Sequence, residues 1–270
     1  MRAPSSLQPW RPSPLVLASL GVHGGALGAV LVRPAAWPWA LGAVLADHAL
    51  LAAAGLSPRS HLLGPNWTRL PAPAGARSVA LTVDDGPDPE ITPRVLDLLA
   101  RYRAPATFFC IGERVERHPA LARAITQSGH AVENHSYRHL HRFSLLGPGA
   151  LRAEIERTQE AIGAATGRRP LFFRAPAGLR SPLLDPVLQR LGLTLASWTR
   201  RGFDTVNSRA DTVFERLARG LGGGDILLLH DGHAARTAEG VPVILEVLPR
   251  LLDALLGAGL KPVTLRAALA

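Results

Sequence analysis

Two apolar runs open the chain: residues 15–32 (LVLASLGVHGGALGAVLV) and 35–56 (AAWPWALGAVLADHALLAAAGL). Each is near the roughly 20 residues needed to cross a bilayer. The first is glycine-rich and carries His23; the second carries Pro38, Asp47 and His48. An ionisable group at mid-membrane costs about 2.5–3.5 kcal/mol on insertion scales, which counts against the second run. Trp37 and Trp39 suit an interfacial aromatic belt. A cleaved signal peptide would put Arg2 and Arg11 before one apolar core, without a second run directly behind it. A two-helix membrane hairpin within residues 1–56 is therefore expected. Arg2 and Arg11 precede it, Arg59, Arg69 and Arg77 follow it, and its short connection holds only Arg33. The positive-inside rule then puts both ends, and the domain that follows, in the cytoplasm.

Residues 57–77 (SPRSHLLGPNWTRLPAPAGAR) read as a proline-rich linker. From residue 78 to 270 the pattern alternates between short apolar runs and helical periodicity. Extended segments are expected at Ser78–Val83, Ala106–Ile111, His130–Glu133, Leu171–Arg174, Leu193–Ser197, Asp225–Leu229 and Pro262–Leu265. Helices are expected from Thr92-Pro93, read as N-cap and first helical residue, through Val95, Leu96, Leu99 and Tyr102. Further helices are expected at Glu113–Ser128, 149–166, Leu183–Leu191, 210–221 and 241–257. Seven or eight such units predict a parallel barrel or a doubly wound sheet. No internal repeat is visible.

The formal charge of +9 invites a nucleic-acid reading. Yet Lys261 is the only lysine, basic residues are scattered, and aromatics make up only 5%. Nucleic acid is accordingly not an expected partner, although arginine could favour an anionic surface. One cysteine, Cys110, excludes an intrachain disulfide and a multi-cysteine zinc site. It sits in the apolar run Ala106–Ile111 and reads as core.

Three polar clusters fall at strand ends, where parallel β/α architectures place their sites. Thr82-Val83-Asp84-Asp85-Gly86-Pro87 runs an apolar strand into adjacent carboxylates. Neighbouring side chains on extended backbone point in different directions, so one can bind a metal while the other takes a proton. Alone, it is also what an Asp-Gly-Pro turn looks like. His135-Ser136-Tyr137-Arg138-His139 is expected as a helical turn at a strand-to-helix junction, with two imidazoles at i and i+4 on one face. With Asp85 they make a two-His, one-carboxylate set that leaves coordination positions for water and substrate. Asp225-Ile226-Leu227-Leu228-Leu229-His230-Asp231-Gly232 ends a strand on a histidine that could serve as a general acid.

Together, with the phrases ATFFCIGE, SGHAVENHSYRH and FFRAPAG between them, these clusters resemble the polysaccharide deacetylases, carbohydrate esterases that include chitin and peptidoglycan deacetylases. The resemblance runs over residues 78–265. It implies an α/β fold, a distorted parallel (β/α) barrel of about seven units, preceded here by the hydrophobic hairpin. It also implies a hydrolase that removes N-acetyl groups from an aminosugar polymer or glycan. Asp85, His135 and His139 would hold a divalent metal, zinc before its neighbours. Asp84 would be the base, oriented by Arg174 in Arg174-Ala175-Pro176-Ala177-Gly178, and His230 the acid. The Ala177 N–H would help hold the oxyanion, and Leu228 would line the acetyl pocket. Two departures stand out. Ala177 occupies a position that is usually aromatic. Trp198-Thr199-Arg200-Arg201-Gly202-Phe203-Asp204 retains only Asp204 of the Asp-x-x-Asp-Trp motif, with Arg201 replacing the first aspartate. Asp204 is the candidate partner of His230, and Trp198 a candidate substrate contact. The expected partners are an N-acetylated glycan and the membrane. Two alternatives stay open: a deacylase of a small or lipid-linked N-acyl sugar, and a catalytically silent membrane-attached glycan-binding protein.

Overall fold

The computed structural model describes residues 10–72 and 74–269. Arg2, one of the flanking charges, lies outside the described residues. The strands are β1 (Ser78–Asp84), β2 (Thr107–Cys110), β3 (Ala131–Asn134), β4 (Phe172–Phe173), β5 (Thr194–Leu195), β6 (Arg200–Arg201), β7 (Ile226–His230) and β8 (Lys261–Val263). All pair in parallel, in the order β5-β4-β3-β2-β1-β7-β6, with β8 beside the first half of β1. The helices packed around them are α3 (Ile91–Arg101), α4 (Gly112–Arg117), α5 (Pro119–Gln127), α6 (Pro148–Thr166), α7 (Leu184–Arg190), α8 (Ala210–Ala218) and α9 (Val243–Gly257). This is the expected α/β fold, a distorted parallel (β/α) barrel. Its seam lies between β5 and β6. There Trp67 pairs with Ala196 and Arg69 with Asp225, so these two residues lie against the sheet.

Period-two alternation sorts the strand residues. Val79, Leu81 and Val83 of β1 join Phe108, Cys110, Val132, Leu227 and Leu229 in a core shared with the outer helices. The alternate positions Ala80, Phe109, Ile226 and Leu228 pack toward the interior with Trp198. Cys110 is buried as expected. The inward set on β1 continues through Thr82 to Asp84, which is how a carboxylate comes to stand inside the barrel.

Several local expectations are corrected. The helix expected over Glu113–Ser128 breaks at His118, because a residue before proline is driven out of the α region and Pro119 restarts the helix as its first residue. Thr92 does not cap α3; the Asp88 carboxylate accepts from the Glu90 and Ile91 N–H groups instead. The Thr92 hydroxyl instead accepts from the Asp88 N–H and donates to Asp231. Strand β6 had no signal in the sequence. Two arginines carry no apolar pattern, and pairing with Leu227 and Leu228 alone makes them a strand.

Before the barrel, α1 (Pro14–Val32) and α2 (Trp37–Leu56) form a hairpin, and both helices are long and apolar enough to cross a membrane. Most of their leucines and both tryptophans face outward, Leu20, Leu31, Trp37 and Trp39 among them. The end of α2 is docked on the barrel: the Gly55 carbonyl accepts from the Arg180 N–H at 3.2 Å, with no room for a side chain at Gly55.

Helix α9 supplies Val247, Leu248, Leu251, Leu252 and Leu255 to the core, all essentially inaccessible. Leu251→Ala should cost about 2–5 kcal/mol. A lower denaturant midpoint of the detergent-solubilised protein reads this, and an unchanged midpoint would contradict the packing described.

Candidate active site

Strand register brings the clusters together. Asp84, last in β1, lies level with His230 of β7 and Phe109 of β2, and Asn134 of β3 lies level with Cys110. Chemistry-bearing residues therefore collect at the carboxyl ends of the strands. A cavity of about 650 Å³ opens there, walled by Asp84, Asp85, His135, His139, Ala177, Trp198, Leu228 and His230 among others. Arg174 and Asp204 stand behind this wall, fully buried.

The two aspartates diverge. Asp84 follows the inward alternation, whereas Asp85 has φ 74°, a left-handed conformation that aspartate tolerates. That turn aims the Asp85 carboxylate at the two imidazoles. Its Oδ1 lies 3.2 Å from His135 Nε2 and 3.3 Å from His139 Nε2. The histidines do not sit on a helical turn. Ser136 and His139 have φ 62° and 51°, and the Tyr137 and Arg138 N–H groups donate to the buried Glu154 carboxylate on α6. The backbone bonds that a helix needs are thus committed elsewhere, yet the rings still face one point, 4.8 Å between centroids.

Asp85 Oδ1 is buried without a hydrogen-bond partner among the described residues. An orphaned carboxylate oxygen facing two imidazole nitrogens is a donor set suited to a divalent metal. The protonation tendencies agree. Burial opposes charge on Asp85, but the imidazoles of His135, His233 and His230 around it outweigh that and hold the carboxyl well below its usual range. Burial likewise opposes charge on His135, yet Asp84 and Asp85 beside it raise its affinity for a proton, the mark of a site that wants a cation. His139 is pushed down to about 4 by burial and by His135, which leaves its ring neutral with a lone pair to offer. His135 Nδ1 faces the Arg174 carbonyl at 2.9 Å, and because a carbonyl only accepts, that nitrogen bears the proton and Nε2 faces the cavity.

Arg174 spends its guanidinium on one task. Nη1 donates to Asp84 Oδ1 at 2.6 Å and to Thr82 Oγ1 at 2.8 Å. Nε donates to the Ala196 carbonyl at 3.1 Å, and Nη2 to that of Ser197 at 2.7 Å. Across the cavity, Asp204 grips His230 twice, through the backbone N–H at 2.7 Å and ring Nδ1 at 2.8 Å. Burial would lower the His230 pKa, but the Asp204 charge and hydrogen bond raise it to about 9, so the ring is cationic at neutral pH.

The two departures resolve separately. Ala177 has φ 53° and lies exposed in the wall, and beside it Gly178 meets Trp198 so closely that a Cβ would clash. Arg200 is structural, ion-paired with Asp225 and bound to the Arg219 and Gly220 carbonyls. Arg201 turns to the cavity, over the rings of Trp198 and Phe203. Sequence reasoning assigned no role to His233, whose Nδ1 is 3.3 Å from Asp85 Oδ2 and whose Nε2 meets Arg114. A third ionisable residue just beyond His230 was the only signal. Asp231 was equally overlooked: buried against Thr92, it is raised to about 7 by desolvation.

Fold and site together define a parallel-barrel hydrolase with its polar centre at the strand ends. The polysaccharide deacetylase family profile matches residues 72–196. A peptidoglycan-N-acetylglucosamine deacetylase of Bacillus cereus is 32% identical over 203 residues, 72% of this chain and 90% of that protein. A chitooligosaccharide deacetylase of Bradyrhizobium sp. is 36% identical over 161 residues, 59% of this chain and 73% of that one. Among solved structures, a family 4 carbohydrate esterase from Streptomyces lividans in complex with acetate superposes with a TM-score of 0.63 at 35% identity, covering 70% of this chain and 93% of its own. The chain belongs to the polysaccharide deacetylase family, and is a hydrolase of amide bonds.

Asp204→Asn removes the carboxylate that holds the His230 proton. In a ring-resonance NMR titration its midpoint should fall from about 9 toward 6.5. A midpoint left near 9 would overturn the role given to Asp204.

Proposed function

We propose that this protein removes acetyl groups from N-acetylglucosamine units of a cell-envelope glycan, at a divalent metal held by Asp85, His135 and His139, with zinc as the ion. The observation that carries this reading is the orphaned Asp85 Oδ1 converging on two imidazole nitrogens, with Asp84 and His230 fixed on either side by Arg174 and Asp204. When bound, such an ion supplies Lewis acidity to the acetamide carbonyl and acidifies water. Asp84 takes the proton of the attacking water, and Arg174 keeps its carboxylate oriented. The Ala177 N–H faces the developing oxyanion, in a wall where Leu228 and Trp198 exclude water from the acetyl methyl. His230, cationic, gives its proton to the departing amine, yielding free amine and acetate. In this reading Arg174 and Asp204 are positioning residues, since neither reaches the cavity.

The domain division follows: residues 78–270 as the catalytic unit, 57–77 joining it to the hairpin, and 1–56 as the membrane anchor. Similarity to peptidoglycan and chitooligosaccharide deacetylases supports the glycan class. Two helices of membrane-crossing length support the anchor, and the flanking arginines favour a cytoplasmic barrel.

Acetate release from chitooligosaccharides and peptidoglycan fragments tests the proposal. Asp84→Asn and His230→Ala should each lower the rate about 10²–10⁴-fold with metal content retained. His135→Ala should lose the metal, so equal metal in wild type and variant would sink the ligand assignment. Because the His230 pKa is raised, the acid form persists below about 9, and the rate should fall as pH rises through that value. A basic limb near 6.5 instead would remove His230 as the acid.

A further inference from the structure

A second convergence of metal-ligating groups lies far from the cleft in sequence, on the hairpin. We propose that His23 of α1 with Asp47 and His48 of α2 forms a second site for a divalent transition-metal ion. One ligand atom from each residue lies within 4.8 Å of the other two. His23 Nε2 and His48 Nε2 are 3.1 Å apart, and the rings are 5.1 Å between centroids. His23 Nδ1 is 2.8 Å from the Ser19 carbonyl, which can only accept, so Nδ1 bears the proton and Nε2 is left to bind. Asp47 is 8% exposed, and its Oδ2 accepts from the Ser19 hydroxyl at 2.7 Å and lies 3.7 Å from the protonated Nδ1 edge of the His23 ring.

The surroundings make the cluster unusual. Both helices are otherwise apolar, and these residues fall near their middles. A carboxylate in such a place is costly unless a positive charge offsets it. No arginine or lysine pairs with Asp47 among the described residues, where the two imidazoles are the basic groups beside it. Two imidazoles and one carboxylate are a borderline-soft donor set that suits zinc and its neighbours better than magnesium or calcium. The two histidines are exposed on the hairpin surface, so their rings are open to a further ligand. Bound there, the ion would cross-link α1 to α2, because its ligands come from both helices. The site shares no residue with Asp85, His135 and His139, so it stands or falls independently of the proposed activity.

Metal stoichiometry of the full-length protein in detergent micelles tests the inference. After chelator stripping and zinc reloading, wild type should hold two ions per chain. His23→Ala/His48→Ala should hold one, His135→Ala/His139→Ala one, and the combined variant none. Should the catalytic reading fail instead, one ion would remain in wild type, be kept without His135 and His139, and be lost without His23 and His48. The inference is overturned if His23→Ala/His48→Ala binds as many ions as wild type. Cobalt(II) titration of the wild type avoids any folding defect of the variants. Two saturable absorption steps are expected when both sites bind, and a single step that survives loss of His23 and His48 rules the hairpin site out.

Discussion

The buried guanidinium of Arg174 is the interaction on which the rest of the site depends. A charge taken out of water is tolerated only where a counter-charge and hydrogen bonds replace the solvent. Arg174 receives both, from Asp84 and from the oxygens of Thr82, Ala196 and Ser197. It thereby ties the end of β1 to the stretch beyond β5, across the barrel interior. Its carbonyl also accepts from His135, so one residue positions the candidate base through its side chain and a candidate metal ligand through its backbone. Phe109 closes one face of the guanidinium at 4.1 Å, which keeps water away from the pair.

Around that pair the site is organised as two opposite electrostatic tendencies. On one side Asp85 is held anionic and His139 neutral, as a cation-binding set requires. On the other, Asp204 keeps His230 protonated, as an acid requires. Both are buried, and burial alone would push each toward its uncharged form. Specific partners reverse that tendency for Asp85 and His230, while His139 follows it. The difference in partners, not in side-chain type, separates ligand from acid between two histidines of the same cavity.

The departures from the family pattern sit in the wall and leave the polar centre intact. Ala177 contributes only a methyl group to that wall, with its backbone in place beside Gly178. Arg200 is absorbed by Asp225 into the seam, whereas Arg201 presents a cation to the cavity. A substrate that differs from those of the relatives would meet the change here first.

Much was legible in the chain itself. Apolar runs and helical periodicity marked β1, β2, β3, β7 and most helices, because those segments bury one face or both and must be written in hydrophobic residues. The candidate residues were equally legible, since chemistry restricts which side chains can serve, and their order along the chain carried the family resemblance. Tertiary structure alone decided what long-range pairing decides. Two-residue strand β6 exists only because β7 lies beside it. The His135–His139 loop is not helical because Glu154, on another element, takes its N–H groups. Trp67 and Arg69 carry no strand pattern, yet each finds a partner at the seam. His233 and Asp231 gained neighbours that no spacing reveals. Local patterns record burial, which each residue carries in its own chemistry; contacts between distant segments depend on register and closure, which exist only once the sheet has formed.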